Sequence, residues 1–420
     1  MNITSQIKKG TLFGIVFSLA KAIIYFVPLL LAEVLSKEDY GVLEYALAGI
    51  ATLVSTIINL GVPGAYPYFI LKQKKAFLKE GFYFHSIVLF FFFLMNQILY
   101  LNHLLSFNIY FAFNISYVLA NQLFFSTQLK SNEKPVKAVL LDSALYFVLL
   151  IYYLIIKTSL INLDFKGANY FVLIYAAFYI INAGKLLLKI SLKRVIHFYK
   201  IITKFSVHIL ISTFLIFLIS VSGRILVEFF FDYETVGIYS YYFRLSAVVV
   251  MIHQIANIVY FKKIYTLNPH ILDNYFYLFF IFIFILSLSF YFIFPKIIIH
   301  FSDFFNLTFQ NNKAVYFLLS SQMVLWIASA LNSNIIDREN LAAKNNIRFI
   351  VLILLGIVTL FIFKDQLTFS RLVFIHFSSI FIACLIQYYS LFKKSIFFYK
   401  SLFSLILFYL LTSSFYFFYF

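Results

Sequence analysis

A chain of 420 residues that is 63% hydrophobic and only 12% charged, with a mean hydropathy of +0.94, excludes a soluble globular protein. Soluble domains run about 45–50% apolar and 25% charged. The net charge of +17 raises nucleic acid as a partner, and the single cysteine, Cys384, excludes an intramolecular disulfide framework and a multi-cysteine metal site.

In chain order, apolar stretches of roughly 20 residues, the length that crosses a bilayer, fall near 11–35, 42–71, 82–101, 109–129, 138–156 and 168–184. A second set follows at 205–231, 237–261, 274–295, 314–336, 347–363 and 369–392, with a last run at 397–420. Twelve or thirteen spans are expected, the number depending on whether the last run crosses the bilayer. The first run follows Lys8 and Lys9 as a signal peptide would, but it lacks a clear small-residue cleavage site, so it is read as a retained helix. Between the two sets, residues 185–204 read as a basic amphipathic surface helix.

With the N-terminus set on the cytoplasmic side, 23 of the 33 Lys and Arg fall in inner loops and 7 in outer ones. Lysine and arginine bias of this kind orients membrane proteins. The basic charge therefore reads as topology and attraction to anionic membrane lipid, not to nucleic acid.

SKEDYGVLEYALAGIATLV (36–54) recurs as DYETVGIYSYYFRLSAVVV (232–250), with Glu38 on Glu234, Gly41 on Gly237 and Tyr45 on Tyr241. The flanking apolar segments align under the same offset. The expected fold is thus an all-α polytopic membrane protein. It comprises two six-helix bundles, 1–200 and 201–396, related by a pseudo-two-fold axis along the membrane normal, and an extra helix at 397–420. Parallel repeats of this kind suit transporters.

Three basic residues fall inside spans: Lys21, Arg224 and Arg244. Each costs roughly 2.5–3.5 kcal/mol at mid-membrane on insertion scales, and such residues mark pathways. Lys21 has no obvious anionic partner in the sequence, and the three cations point to an anionic ligand. The structural alternatives are an Arg224–Glu228 pair at i, i+4, snorkelling of Lys21, and escape of Arg244 to the outer surface. Polar stripes add cavity-lining candidates: Asn59, Asn121, Gln322 and Trp326; interhelical hydrogen bonding is the plainer reading for most such residues. Glu228 and Asp142 are candidates for ion or proton coupling, with a helix-dipole role as the alternative for Asp142. Pro63 and Pro67 in GVPGAYP (61–67) predict a kink. The acidic turns holding Glu38, Asp39, Asp232 and Glu234 are expected at the outer mouth. No catalytic signature or metal cluster occurs, so neither an enzyme nor a cofactor is expected.

Glu-Asp-Tyr-Gly (38–41), Asn-Leu-Gly (59–61) and Val-Gly-Ile-Tyr-Ser (236–240) together resemble the O-antigen flippases (Wzx-like) of the multidrug/oligosaccharidyl-lipid/polysaccharide exporter superfamily. The resemblance implies a bacterial inner-membrane protein that moves undecaprenyl-diphosphate-linked oligosaccharide by alternating access through a cationic cavity. In that reading Lys21, Arg224 and Arg244 contact substrate, and a polysaccharide polymerase is a candidate partner. The alternatives are a multidrug or cation antiporter of the same superfamily and an integral-membrane polysaccharide polymerase.

Overall fold

The computed structural model describes residues 3–158, 165–188, 191–254, 267–339 and 341–420, with side chains from Gly14 onward except that of Lys72. The end of the expected eighth span, 255–261, lies outside the described residues, as do Lys189, Lys262 and Lys263. Every regular element among the described residues is helical. Eleven helices are long and apolar enough to cross a membrane, which makes the chain an all-α, multi-pass membrane protein. It divides into two compact units, Met1–Phe214 and Leu215–Phe420.

The first unit begins with α1 (Ile3–Ala32). A second span follows in pieces: α2 (Lys37–Glu44), a π-helical stretch (Tyr45–Ile50), α3 (Ala51–Ile58) and α4 (Val62–Pro67). The expected kink is a full break. Leu60 and Gly61 both take positive φ, 50° and 69°, and Pro63 stands in the first turn of the resumed helix, where its missing N–H costs nothing. Gly61 is required twice over, by its left-handed φ and because a Cβ there would collide with the Ser206 carbonyl.

Four long helices follow: α5 (Lys79–Leu101), α6 (Phe107–Ser131), α7 (Pro135–Lys157) and α8 (Gly167–Leu187). Helix α6 is 25 residues long but is not among the eleven apolar candidates. Amides interrupt it, and two of them, Asn114 and Gln122, bond to neighbouring helices. Asn114 accepts from Asn96 (2.9 Å) and Gln97 (2.8 Å) on α5 and donates to Asn169 on α8 (2.9 Å). Most of α6 is buried, so its polar groups meet protein instead of lipid.

The expected surface helix and seventh span differ in the structure. Residues 192–220 form one helix, α9 (Leu192–Ser220), and the division between units falls inside it. Val195, Ile202 and Ser206 are fully buried at helical spacing, so one face of the basic segment packs inward. Phe82, Tyr66 and Phe69 share a core with Ile202.

The second unit continues with α10 (Gly223–Phe230) and α11 (Tyr233–Ala247), then α12 (Pro269–Ile298) and a short α13 (Asp303–Thr308). The remaining helices are α14 (Lys313–Arg338), α15 (Ala342–Ile362), α16 (Phe369–Phe392) and α17 (Tyr399–Tyr419). Helix α14 is buried along most of its length. The repeated stretch has the same start in both copies. Ser36 caps α2 by accepting from the Asp39 N–H (3.0 Å), and Asp232 caps α11 by accepting from the Thr235 N–H (2.7 Å). These caps share the sequence offset of Glu38 and Glu234. A side-chain cap is worth about 1 kcal/mol.

Helix α17, the extra run at 397–420, is an integral part of the second unit. Asp273 on α12 accepts from the Lys400 N–H (2.9 Å), the Ser401 N–H (2.9 Å) and the Ser401 hydroxyl (2.7 Å). A carboxylate from another helix thus satisfies the open amides of the α17 N-terminus. Phe284 stacks on Phe408 at 4.2 Å farther along.

Candidate functional site

The seventh span is broken, like the second. After Ser220 the helix stops, and α10 resumes at Gly223. The local cause is Ser-Val-Ser-Gly, residues poor at continuing a helix; Ser222 folds its hydroxyl back onto the Leu218 carbonyl (2.5 Å). Gly223 leaves room for Tyr239, whose hydroxyl would collide with any Cβ at that position.

The break is lined by aromatic rings and a cation. Trp326 on α14 donates its indole N–H to the Ser220 carbonyl at 3.0 Å. Its ring meets Phe243 edge to face at 6.4 Å. Arg224, in the first turn of α10, is 3% exposed and donates Nε to Ser240 at 2.9 Å. Its guanidinium lies 4.8 Å from the Phe243 ring centre and 6.0 Å from that of Tyr239. A desolvated cation–π contact is worth about 2 kcal/mol, which offsets part of the cost of burial. Two residues singled out in the sequence, Arg224 and Trp326, therefore meet through Phe243. Arg244 is buried on α11 and Gln322 on α14; neither the Gln322 amide nitrogen nor its oxygen has a hydrogen-bond partner. Glu228 sits one turn beyond Arg224, half-buried.

The remaining candidates belong to the first unit. Lys21 is half-buried on α1 with its ammonium 5.6 Å from the Phe17 ring centre. Asp142 on α7 and Lys130 lie within its electrostatic range. Asp142 is about two turns inside α7, past the first turn, and pairs with Lys130 at 2.8 Å. Asn121 is buried and donates to the Tyr117 carbonyl of its own helix (2.9 Å). Asn59 is buried at the first break, its Oδ1 3.2 Å from His85 Nε2; His85 Nδ1 is in turn 2.9 Å from the Tyr199 hydroxyl.

Besides Asp273, which caps α17, a second buried carboxylate carries no expectation from the sequence. Glu44 is fully buried at the junction of α2 and the π-helical stretch, a geometry frequent at functional sites. It holds in the first copy the position that Ser240, the partner of Arg224, holds in the second. An acid seven residues into an apolar helix was the available signal.

These features define a multi-pass helical membrane protein with a buried cation–aromatic site at a helix break. No protein-family model, curated protein or solved structure matches the chain.

Proposed function

We propose that the protein is a flippase that moves an anionic lipid-linked oligosaccharide, of the undecaprenyl-diphosphate-linked kind, across a bacterial inner membrane by alternating access. The observation that carries the reading is Arg224, kept at 3% exposure beside an interrupted membrane helix. A guanidinium within a span is costly and marks a pathway. Its planar donors suit paired phosphate oxygens, and Trp326 and Phe243 offer faces to sugar rings. The sequence repeat supports two halves rocking about a shared axis, with the polyprenyl tail left in lipid and only the head desolvated. Arg244→Glu in a flippase-null strain tests the reading. Surface glycan is expected to be lost at unchanged protein level, whereas full restoration by the variant removes Arg244 from the mechanism. If the parent chain does not restore glycan, the flippase reading falls.

Glu44 favours a second reading, a cation or drug antiporter, because such exporters need a membrane-buried carboxylate to hold a cation. Proton-coupled dye efflux from vesicles that Glu44→Gln abolishes and Arg224→Met spares would select it.

A further inference from the structure

The first unit contains a cavity of about 720 Å³ between the ends of α5, α6, α7 and α8, within the size range of small-ligand sites. Its lining is graded along the helix axes. Lys137 lies in the first turn of α7 and Lys185 in the last turn of α8. Leu141 is one turn deeper than Lys137, and Phe178 about two turns deeper than Lys185, roughly 10 Å at 1.5 Å per residue. One end of the cavity is therefore cationic and the other apolar. Leu140 (43% exposed) and Phe178 (56%) stand at its open side, where an alkyl chain can continue into the surrounding lipid.

Amides join the two lysines at the cationic end. Asn132, just beyond α6, and Asn182, one turn inside Lys185, both line the cavity, and Gln128 stands in the last turn of α6. Neutral amides beside two ammonium groups match the phosphate and ester oxygens of a lipid head.

We propose that this cavity binds an anionic phospholipid of the bilayer, phosphate between Lys137 and Lys185, with its chains running along Phe178 to the open side. The site is separate from the cation–aromatic break and does not depend on the transport reading.

The test uses the full-length protein in a non-ionic detergent, with lipid binding followed by native mass spectrometry and thermal unfolding. The probes are phosphatidylglycerol, phosphatidylcholine of the same chains, and inorganic phosphate. Phosphatidylglycerol is expected to bind at least tenfold tighter than phosphatidylcholine. Lys137→Glu with Lys185→Glu should remove that preference. Lys74→Glu with Lys134→Glu, exposed lysines outside the cavity lining, should keep it. Undiminished phosphatidylglycerol binding by the Lys137/Lys185 pair overturns the proposal. So does an equal loss in the control pair, which would mean general surface charge, or competition by inorganic phosphate as strong as by the lipid. Lys137 and Lys185 are exposed, so their reversal is read on folded protein.

Discussion

The two broken helices are closed by opposite means. At Leu60–Gly61 the gap is stitched with neutral groups: Ser206 donates to the Leu60 carbonyl at 2.6 Å, and His85 bridges Asn59 and Tyr199. At Val221–Ser222 an indole takes the Ser220 carbonyl, and a guanidinium is set among aromatic rings. Membrane helices tolerate a break where side chains re-satisfy the freed backbone groups. Neutral polar groups suffice for that task, as the first break demonstrates. At the second break a charge is added to that repair, with Arg224 donating to Ser240 and facing Phe243.

Substitutions can separate the two breaks, beginning with the largest effect. Arg224→Met keeps an unbranched side chain against Phe243 and removes the charge. Loss of the Ser240 hydrogen bond and of the cation–π contact costs about 1–3 kcal/mol. On the proposed transport role, glycan export per folded molecule is expected to fall more than tenfold, beyond what that loss of stability explains; retained export would reduce Arg224 to a packing residue. Gly61→Ala should destabilise the first unit by about 2–3 kcal/mol, through the left-handed φ and the clash with Ser206, seen as loss of monodisperse protein by size-exclusion chromatography. His85→Phe preserves the ring but not its two hydrogen bonds, and should cost about 1–2 kcal/mol with transport per folded molecule unchanged. If transport falls instead, the neutral break is also functional. Lys130→Ala removes a pair whose lysine is 51% exposed and should cost under about 1 kcal/mol, measured by thermal unfolding.

Much of the fold was legible because membrane chemistry constrains it locally. Runs of apolar residues announced the helices, and Pro63 with Pro67 announced a kink where the structure has the first break. The second break was not foreseen, since Ser220–Gly223 contains no proline and sits inside an apolar run. Arg224 was recognised as costly, but that it stacks on Phe243 beside Trp326 depends on residues about 20 and 100 positions away. The surroundings of Lys21 were hidden for the same reason: Asp142, within its electrostatic range, lies more than 100 residues along the chain. The acidic turns were expected at an outer mouth; in the structure one of their residues, Asp232, has a defined task as the cap of α11.

By itself, then, the amino-acid sequence determined the solvent and the secondary structure. Hydropathy settles the transfer to lipid, and backbone hydrogen bonding in lipid leaves helices as the form these runs can take. It also carried the repeat, since caps and turn residues act within a few positions of one another. Tertiary structure decided which polar groups meet. It made α9 a single helix, held α17 by Asp273, buried Glu44 and placed a guanidinium against Phe243. Those outcomes arise from packing between distant segments, and in a chain this apolar any face of a helix can serve as an interior until its neighbours are in place.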